Sequence, residues 1–454
     1  MLSKFKRKKH TQQLAQMPKL SQSVDHIKTL YCPTVFRTTL LQMIAQATQR
    51  IYMAVLYLEK DKAGHDVLSA LYQAKKKRPE LDICVLVDWH RAQRGRIGVM
   101  AEHNNADWYY EMAKKNSEVF LPVYGIPVNT REALGVMHLK GIMIDDTVIY
   151  SGASINNVYL HQGSKYRYDR YQLIKNAKLA LLMINYLKIH ILSSNAVQPL
   201  NSKTRHKICD MKYHVQRLRF SLRQANYSVT ENLCYANQDE LSVTPLVGLG
   251  KKNMLNKTIE YLISSTQKQL SICTPYFNLP SSIKRNITSL LKEGKTVKII
   301  VGDKTANDFY TLPDQPFKMI SILPYLYEIN LTCFLKRMQP YLDKGNLIVR
   351  LWKHEAHSFH IKGIWIDDEW QLLTGSNLNL RAWHFDLENA LLIRDPKQEL
   401  RHQRVKELKC IQKYTKVIQN YLELDSIQQY PLKVRTLIRR LCRIRIDRLI
   451  NRVL

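Results

Sequence analysis

Two short segments of this chain repeat one pattern of chemically active residues. Each segment has a His, a Lys two residues later and an Asp five residues after the Lys: HLKGIMID in the first half of the chain and HIKGIWID in the second. The matched residues are His138, Lys140 and Asp145 in the first copy and His360, Lys362 and Asp367 in the second. A constellation supplied twice predicts one active site built from two half-sites.

Paired histidines and lysines are suited to phosphodiester chemistry. One histidine can attack phosphorus and form a covalent phosphohistidine. The other can protonate the leaving oxygen and then take a proton from the acceptor. Lys140 and Lys362 can hold the phosphoryl oxygens and offset their charge, so we expect neither a metal nor a cofactor. His354 and His357 form H-x-x-H-x-x-H with His360, but strand alternation does not put the three on one face and no carboxylate is set to complete a metal site.

Each motif is followed by a small turn, SGASIN or TGSNLN, whose polar side chains can donate to the same phosphoryl oxygens. These residues are Ser154, Asn156, Asn377 and Asn379. A nucleophilic histidine also needs an acceptor on its other ring nitrogen. Asp169, downstream of the first motif, and Glu388, downstream of the second, are the candidates. We expect Asp145 and Asp367 to brace the motif strand and turn.

The motifs lie within a longer internal repeat. Apolar strand-like runs alternate with amphipathic helices, which is typical of buried strands in an α/β fold. In the first half these are 51–57 (strand), 64–77 (helix) and 82–90 (strand), and in the second 270–276, 281–293 and 297–303. Tyr57 and Tyr276 end the equivalent strands and are candidate substrate contacts. Arg91 and Arg94 follow the next strand of the first half, where they could grip a pyrophosphate or belong to a solvated loop.

The fold class expected is α/β, with two duplicated α/β/α halves packed as a pseudo-dimer and a basic helical C-terminal tail. The predicted organisation is a basic N-terminal segment (1–20), a first half (21–192), a basic connector (193–236), a second half (237–405) and a helical basic region (406–454). On motif strands at 136–144 and 359–366, His and Lys at i and i+2 share one face. Both pairs can therefore point into one cleft.

Composition limits the surroundings in which this chain works. The net charge of +31 over 454 residues attracts polyanions such as an anionic membrane surface, phosphorylated substrates or, non-specifically, nucleic acid and ribosomes. Eight scattered cysteines without a C-x-x-C pair indicate a cytoplasmic protein with reduced thiols. We expect no signal peptide and no transmembrane helix. Charge and size leave the oligomeric state open.

The motif pair resembles the phospholipase D superfamily, whose members carry two H-x-K-x4-D motifs and form a phosphohistidine. A narrower resemblance, to the Gram-negative type of bacterial phosphatidylserine synthase, runs over essentially the whole chain. It is carried by VLVDWHRAQRGRIG, NTREALGVMHLKG, SGASINNVYLHQ, YDRYQLI, LSVTPLVGLGKKNMLNKTI, VGDKTANDFY, LPYLYEINL and VRTLIRRLCRIRIDRLI.

This resemblance implies transfer of a phosphatidyl group from CDP-diacylglycerol to the hydroxyl of L-serine, giving phosphatidylserine and CMP. It implies His138 as nucleophile and His360 as the group that protonates CMP and then activates serine. The repeats are near-equivalent, so the residues themselves do not decide which histidine attacks. The first copy is expected to use Asp169 where the second uses Glu388.

Membrane contact is the expected role of the two basic ends, by which the protein would dock reversibly on the inner face of the cell membrane. Residues 324–338 are rich in aromatic and apolar groups. They could insert at the membrane interface or form a core helix between the halves.

Other functions compete with this interpretation. A cardiolipin synthase or phospholipase of the same superfamily is the closest rival, although such cardiolipin synthases usually carry N-terminal membrane spans. A nuclease would suit the basic charge, but the chain has no recognisable nucleic-acid module. A scaffold with relic motifs is disfavoured because both motifs are intact.

Overall fold

The computed structural model describes residues 2–94, 104–228, 236–312 and 315–443. Residues 229–235 of the predicted connector and 444–454 of the basic C-terminal region lie outside the described residues. None of the helices in the described ranges combines the length and apolar character needed to cross a bilayer.

The described strands are numbered in chain order. Those of the first part are β1 (Leu20–Ser21), β2 (Ile27–Leu30), β3 (Arg50–Ala54), β4 (Asp82–Asp88), β5 (Val123–Ile126), β6 (Gly141–Ile144), β7 (Thr147–Ser151), β8 (Arg167–Tyr168), β9 (Tyr171–Lys175) and β10 (Gln198–Pro199). Those of the second part are β11 (Ser242–Leu249), β12 (Gln269–Thr274), β13 (Thr296–Gly302), β14 (Leu347–Trp352), β15 (Ser358–Phe359), β16 (Gly363–Ile366), β17 (Trp370–Thr374), β18 (Leu387–Arg394) and β19 (Thr415–Ile418).

The described α-helices are numbered in the same way. They are α1 (Leu2–Ala15), α2 (Pro33–Gln46), α3 (Lys62–Lys77), α4 (Trp89–Gln93), α5 (Asn105–Lys115), α6 (Ala177–Tyr186), α7 (Lys212–Leu222), α8 (Met254–Ser265), α9 (Ser281–Lys292), α10 (Leu323–Asp343), α11 (Leu380–His384), α12 (Arg401–Gln412) and α13 (Leu432–Arg443). A π-helix, Leu187–Leu192, continues α6.

Two large sheets repeat one strand order. The first runs β10-β5-β4-β3-β6-β7-β9-β2. Read from the matching edge, the second runs β19-β14-β13-β12-β16-β17-β18-β11-β1. In both sheets three parallel strands (β3–β5 and β12–β14) adjoin antiparallel strands that include the one after the motif. The prediction of two duplicated α/β halves packed together is therefore confirmed.

A hydrophobic core forms around each sheet, and the first also includes side chains of β11 and β18 from the second sheet. The first core is formed by apolar side chains from β3, β4 and the helices beside them, including Ile51, Val85 and Leu68. The second is formed in the same way around β12 and β13, including Ile272 and Ile299. The β-branched runs are buried on both sheet faces, as the sequence pattern indicates.

The chain ends are exchanged between the halves. Strand β1 pairs with β11 of the second sheet, and α1 packs on α8, where Leu14 enters the second core. From the other end of the chain, α12 contacts β2 of the first sheet. These crossings fasten the two halves to each other.

The C-terminal region contains helices α12 and α13, as predicted, but also strand β19, which the sequence pattern did not indicate. Strand β19 pairs antiparallel with β14 at the edge of the second sheet. Helix α13 packs Val434 and Ile438 against Tyr325 and Leu326 of α10. The buried apolar face of α10 decides between the two alternatives for residues 324–338 and makes this segment a core helix.

Candidate active site

The two motifs reach one site because the short extended segment that carries each His and Lys, called its lead-in, pairs with the opposite half. In the first half the His138 N–H donates to Leu387 O at 2.9 Å, and Met137 bridges to Leu387 in parallel. In the second half β15 pairs with β8, and the His360 N–H donates to Tyr168 O at 2.8 Å. The motif His and Lys lie in these extended lead-ins, just before β6 and β16. The expectation that they sit within longer strands, 136–144 and 359–366, was wrong because the chain crosses between halves there.

The carboxylates that hold the two histidines are crossed. His138 Nδ1 lies 2.9 Å from both oxygens of Glu388, and His360 Nδ1 lies 2.8 Å from Asp169 Oδ2. The expectation that each histidine uses the carboxylate downstream of its own motif was therefore wrong. Asp169 directly follows β8 and Glu388 lies within β18, and each of these strands pairs with the lead-in of the opposite half. The pairing that joins the halves therefore also exchanges the partners. With Nδ1 engaged, Nε2 of His138 is left for substrate, whereas Nε2 of His360 lies 3.3 Å from both the Tyr159 hydroxyl and Lys362 Nζ.

The pKa values of the two carboxylates are shifted in opposite directions. Burial, followed by the charge of Asp386, raises the pKa of Glu388 well above its ordinary value. Burial would also raise the pKa of Asp169, but Lys362 and His360 outweigh it and hold that pKa below its ordinary value. Lys362 Nζ lies 3.1 Å from Asp169 Oδ2. The Asp169 side therefore carries a buried ion pair that the Glu388 side lacks.

Burial also sets the protonation of the histidines. Burial, with the charges of Lys140 and Lys362, lowers the pKa of His138 well below its ordinary value. Burial and Lys362 lower the pKa of His360 to about 4. Both rings are therefore neutral near neutral pH, which is the form a nucleophile or a general base requires.

The two motif lysines are fully enclosed. Lys140 Nζ donates to Ala153 O at 3.3 Å and to Ser154 Oγ at 3.2 Å. Burial and the charge of Lys362 lower the pKa of Lys140 to about 7. Burial also lowers the pKa of Lys362. Lys140 lines the same cavity as the histidines and can receive a phosphoryl anion, whereas Lys362 is fully buried against Asp169.

The glycine of each turn makes room for these lysines. A Cβ on Gly152 would lie 2.9 Å from Lys362 Nζ, and one on Gly375 would lie 2.6 Å from Lys140 Cγ. Each glycine thus faces the lysine of the opposite motif. This explains the Gly in SGASIN and TGSNLN.

The motif aspartates lie away from the cavity. Asp145 accepts backbone N–H bonds of Thr48, Gln49 and Arg50 at 2.8 to 3.0 Å. Asp367 accepts the equivalent bonds before β12, at 2.7 Å from the Lys268 N–H and 2.8 Å from the Gln269 N–H. Both carboxylates therefore join the turn after the motif to the start of the neighbouring strand.

The turn residues border the cavities, Asn156 the outer one and Ser154, Asn377 and Asn379 the inner one, and two of them also support the backbone. Asn156 Nδ2 donates to Glu59 Oε2 at 2.9 Å, and its Oδ1 accepts the Tyr159 N–H. Asn379 caps α11, with Oδ1 accepting the Ala382 N–H at 2.9 Å. Asn377 lines the cavity, and its buried Oδ1 has no hydrogen-bond partner among the described residues. Asn377 therefore retains an unused acceptor in the cavity wall.

The remaining candidates lie at the cavity wall. Arg91 stacks over the Tyr57 ring at 4.9 Å, and Arg94 forms an ion pair with Glu132 at 2.6 Å. Tyr276 donates its hydroxyl to Asp308 Oδ2 at 3.1 Å. All four predicted wall residues border the same space as the histidines.

The histidines face a cavity of about 270 Å³, which adjoins an outer cavity of about 1160 Å³. The inner cavity is lined by residues of both halves, including His138, Lys140, Ser154, Tyr159, Arg167, Asp308, His360, Asn377 and Arg381. Both cavities share Tyr57, Arg91, Arg94 and Arg167. The arrangement can hold a diphosphate against two histidines while a larger group occupies the outer space.

Another group of potential metal ligands, His354, Glu355 and His357, lies outside this cavity. Tyr166 holds both rings: its hydroxyl is 2.9 Å from His354 Nδ1, and its N–H donates to His357 Nδ1 at 3.3 Å. His360 points into the catalytic cavity instead. His360 is therefore separated from His354 and His357, whose ring centres lie 4.8 Å apart. The expectation that no carboxylate lies near these histidines was wrong, because Glu355 lies beside both.

Comparison with known proteins places this site in a family. A family model described as cardiolipin synthase, PLD-like domain, matches residues 40–190 and 259–412. The CDP-diacylglycerol–serine O-phosphatidyltransferase of Escherichia coli (strain K12) is 58% identical and covers 100% of both chains. The enzyme of that name from Haemophilus influenzae is 46% identical over 99% of each chain.

A solved structure agrees. The crystal structure of phosphatidylserine synthase from Haemophilus influenzae matches with a TM-score of 0.95 and 45% identity, covering 99% of this chain and 100% of that one. This chain belongs to the phosphatidylserine synthase family of the phospholipase D superfamily. The family resemblance drawn from its sequence is therefore confirmed.

Four residues of this phosphatidylserine synthase family member were missed by reasoning from its sequence. Tyr159 places its hydroxyl 2.9 Å from His360 Nδ1. Asn389 accepts the Lys140 N–H and donates to Lys140 O, both at 2.8 Å. Arg167 and Asp308 form an ion pair in the cavity wall. The available signal was their position: Tyr159 lies in SGASINNVYLHQ, Asp308 in VGDKTANDFY, Arg167 directly before YDRYQLI and Asn389 directly after Glu388. None has a spacing that reveals its contacts.

Proposed function

We propose that this chain transfers the phosphatidyl group of CDP-diacylglycerol to the hydroxyl of L-serine, giving phosphatidylserine and CMP. The observation that carries the proposal is the pair of crossed histidine–carboxylate contacts around one cavity lined by Lys140. Full-length similarity to proteins named for this reaction supports the choice of substrates.

The first step forms a covalent phosphatidyl-histidine. His138 Nε2 attacks the phosphatidyl phosphorus, a nitrogen–phosphorus bond forms, and the bond from phosphorus to the CMP oxygen breaks. Protonated His360 gives its proton to that departing oxygen. The charges of the diphosphate favour this protonated form against the lowering effect of burial and Lys362. CMP leaves as a phosphate monoester, whose second pKa is about 6, so its departure needs little help from proton transfer.

The second step reverses these roles. The serine hydroxyl oxygen attacks phosphorus, neutral His360 takes its proton, and the bond to His138 Nε2 breaks. The lowered pKa of His360 keeps the ring neutral before serine arrives. Lys140 and Lys362 offset the charge on the phosphoryl oxygens in both steps, and Asn377 can donate to them. Glu388 and Asp169 orient the two rings.

CMP release from CDP-diacylglycerol in mixed micelles, with and without L-serine and with EDTA present, tests the reaction. We expect CMP release that depends on serine and matches the amount of aminophospholipid formed. Release indifferent to serine would indicate a hydrolase or another acceptor, and no release would favour the nuclease or scaffold alternatives.

Trapping the intermediate tests the finer mechanism. After mixing with substrate and quenching in base, where phosphohistidine persists, we expect mass spectrometry to find the phosphatidyl group on His138. The His360→Ala variant should accumulate this adduct because it lacks the base for the second step. An adduct on His360 in the wild-type protein would reverse the assigned roles.

The proposal includes reversible binding to an anionic membrane surface. Helix α13 buries its apolar face against α10 and exposes Lys433, Arg439 and Arg440. Each such charge near an anionic leaflet contributes roughly 1 kcal/mol. The exposed basic face of α13 is therefore the docking surface that the described residues support best.

A further inference from the structure

A buried ion pair stands beside His360 in the cavity. Asp308 Oδ1 accepts from Arg167 Nε at 2.8 Å, and Arg167 Nη2 lies 2.8 Å from the same oxygen. The side chains are 16% and 12% exposed, and both line the inner and outer cavities. Removing two charges from water is costly, so an ion pair retained at a cavity wall is weak evidence for a role in stability alone.

This ion pair differs from the others near the site. Asp386, which pairs with Arg381 beside His138, also accepts the Val136 N–H at 3.0 Å, and Arg381 donates to a backbone carbonyl. Those groups brace the chain. In the described residues, the Arg167 and Asp308 side chains contact each other and the hydroxyls of the cavity-lining Tyr57 and Tyr276, and Asp308 also accepts from Ser358.

Unused hydrogen-bonding capacity remains on both partners. A guanidinium carries five N–H donors and a carboxylate about four acceptor positions. Beyond their mutual contact, Arg167 reaches the Tyr57 hydroxyl at 3.4 Å, and Asp308 Oδ2 accepts from Tyr276 at 3.1 Å. One positive and one negative group thus face the same space with places left for a ligand.

We propose that Arg167 and Asp308 form the subsite that recognises L-serine as an α-amino acid zwitterion. Arg167 binds the α-carboxylate, and Asp308, oriented by the Tyr276 hydroxyl, binds the α-ammonium. The inference rests on the proposed function, in which His360 activates the serine hydroxyl. A diphosphate does not explain the pair, because Asp308 would repel it.

The position relative to His360 fits this assignment. The Arg167 guanidinium lies 4.5 Å from the centre of the Tyr159 ring, whose hydroxyl is 2.9 Å from His360 Nδ1. The Tyr276 ring centre is 6.2 Å from that of His360. In serine the hydroxyl is two bonds of roughly 1.5 Å from Cα, so charged groups this close to His360 can hold the acceptor oxygen against it.

Acceptor discrimination tests the subsite. In the full-length protein we would measure kcat/KM for L-serine, for ethanolamine, which lacks the carboxylate, and for 3-hydroxypropionate, which lacks the ammonium. Loss of a charge-assisted hydrogen bond predicts that Asp308→Asn raises the KM for L-serine about tenfold or more. The preference for L-serine over 3-hydroxypropionate should fall by a similar factor. Arg167→Gln should instead reduce the preference over ethanolamine.

Two further variants keep the test decisive. Tyr276→Phe removes only the hydroxyl and should weaken the preference for the ammonium severalfold even if Asp308→Asn folds poorly. Asp239→Asn, in the exposed pair with Lys397 at 3.5 Å, is the matched control and should leave every preference unchanged.

The possible failures are separable. If the wild-type protein shows no serine-dependent CMP release, the proposed function fails. If it shows that release but Asp308→Asn and Tyr276→Phe keep the wild-type KM and preferences, the subsite is overturned. Equal losses for all three acceptors would also overturn it, because a subsite for a zwitterion must distinguish them.

Discussion

Replacing Gly152 with Ala tests whether the Asp169 carboxylate is rigidly held. The added Cβ would lie 2.8 and 2.9 Å from the two oxygens of Asp169 and 2.9 Å from Lys362 Nζ. Relief to an ordinary contact of 3.4 Å requires a shift of roughly 0.5 Å. Asp169 cannot move without cost, because its oxygens already bind the Arg170 N–H and His360 Nδ1, each at 2.8 Å.

The expected magnitude follows from the hydrogen bond that is lost. Lengthening the contact between Asp169 and His360 by this amount removes most of a charge-assisted hydrogen bond, worth about 1.5–3 kcal/mol. If that energy is lost from the transition state, kcat falls about 10- to 100-fold. The strain of overpacking also costs about 1–3 kcal/mol of folding stability.

Initial rates of CMP release at saturating CDP-diacylglycerol and L-serine measure the effect, with thermal unfolding recorded in parallel. Gly345→Ala is the control, because its Cβ would meet nothing within 4 Å. At φ +75° that change costs about 1 kcal/mol of stability and should leave kcat unchanged. A Gly152→Ala protein with kcat within about twofold of wild type would refute the reasoning, and so would an equal loss of kcat in Gly345→Ala.

Three further predictions concern the crossed pairing, pH and membrane binding. Glu388→Gln should lower kcat by about 10-fold or more yet cause no further loss in a His138→Ala background; an additional loss there would show that Glu388 acts elsewhere. Because the pKa of Lys140 is lowered to about 7 and its cationic form binds phosphate, the KM for CDP-diacylglycerol should rise as pH increases through this range; a pH-independent KM would contradict that role. Neutralising Arg439 and Arg440 with Gln should weaken binding to anionic vesicles in sedimentation assays, with the difference narrowing as salt rises; equal binding by both proteins would move the docking surface elsewhere.

The sequence predicted the parts of the site that depend on short spacings. His and Lys two residues apart, the glycine turn and the apolar strand runs are local patterns with a direct structural meaning. Their repetition indicated two equivalent halves, and the two sheets show it. The contacts of Asp145 and of Asp367 each lie within the residue's own half, and the two residues hold the same place in the repeated motif. For that reason their role could be inferred from the local pattern.

The partners of the histidines were not accessible in this way. His138 and Glu388 are 250 residues apart, and His360 and Asp169 are 191 apart. Nothing in either local pattern states that the lead-ins pair with the opposite half. The same limit applied to Arg167 and Asp308, which belong to different halves and meet only at the interface.

The sequence by itself therefore determined the fold class, the duplicated His and Lys motif and the family of this protein. The tertiary structure decided which carboxylate holds which histidine, which ion pair faces the cavity and which face of α10 is buried. The physical reason is that periodicity and spacing constrain neighbours along the chain. Contacts between halves depend instead on how two finished sheets pack, which no local pattern specifies.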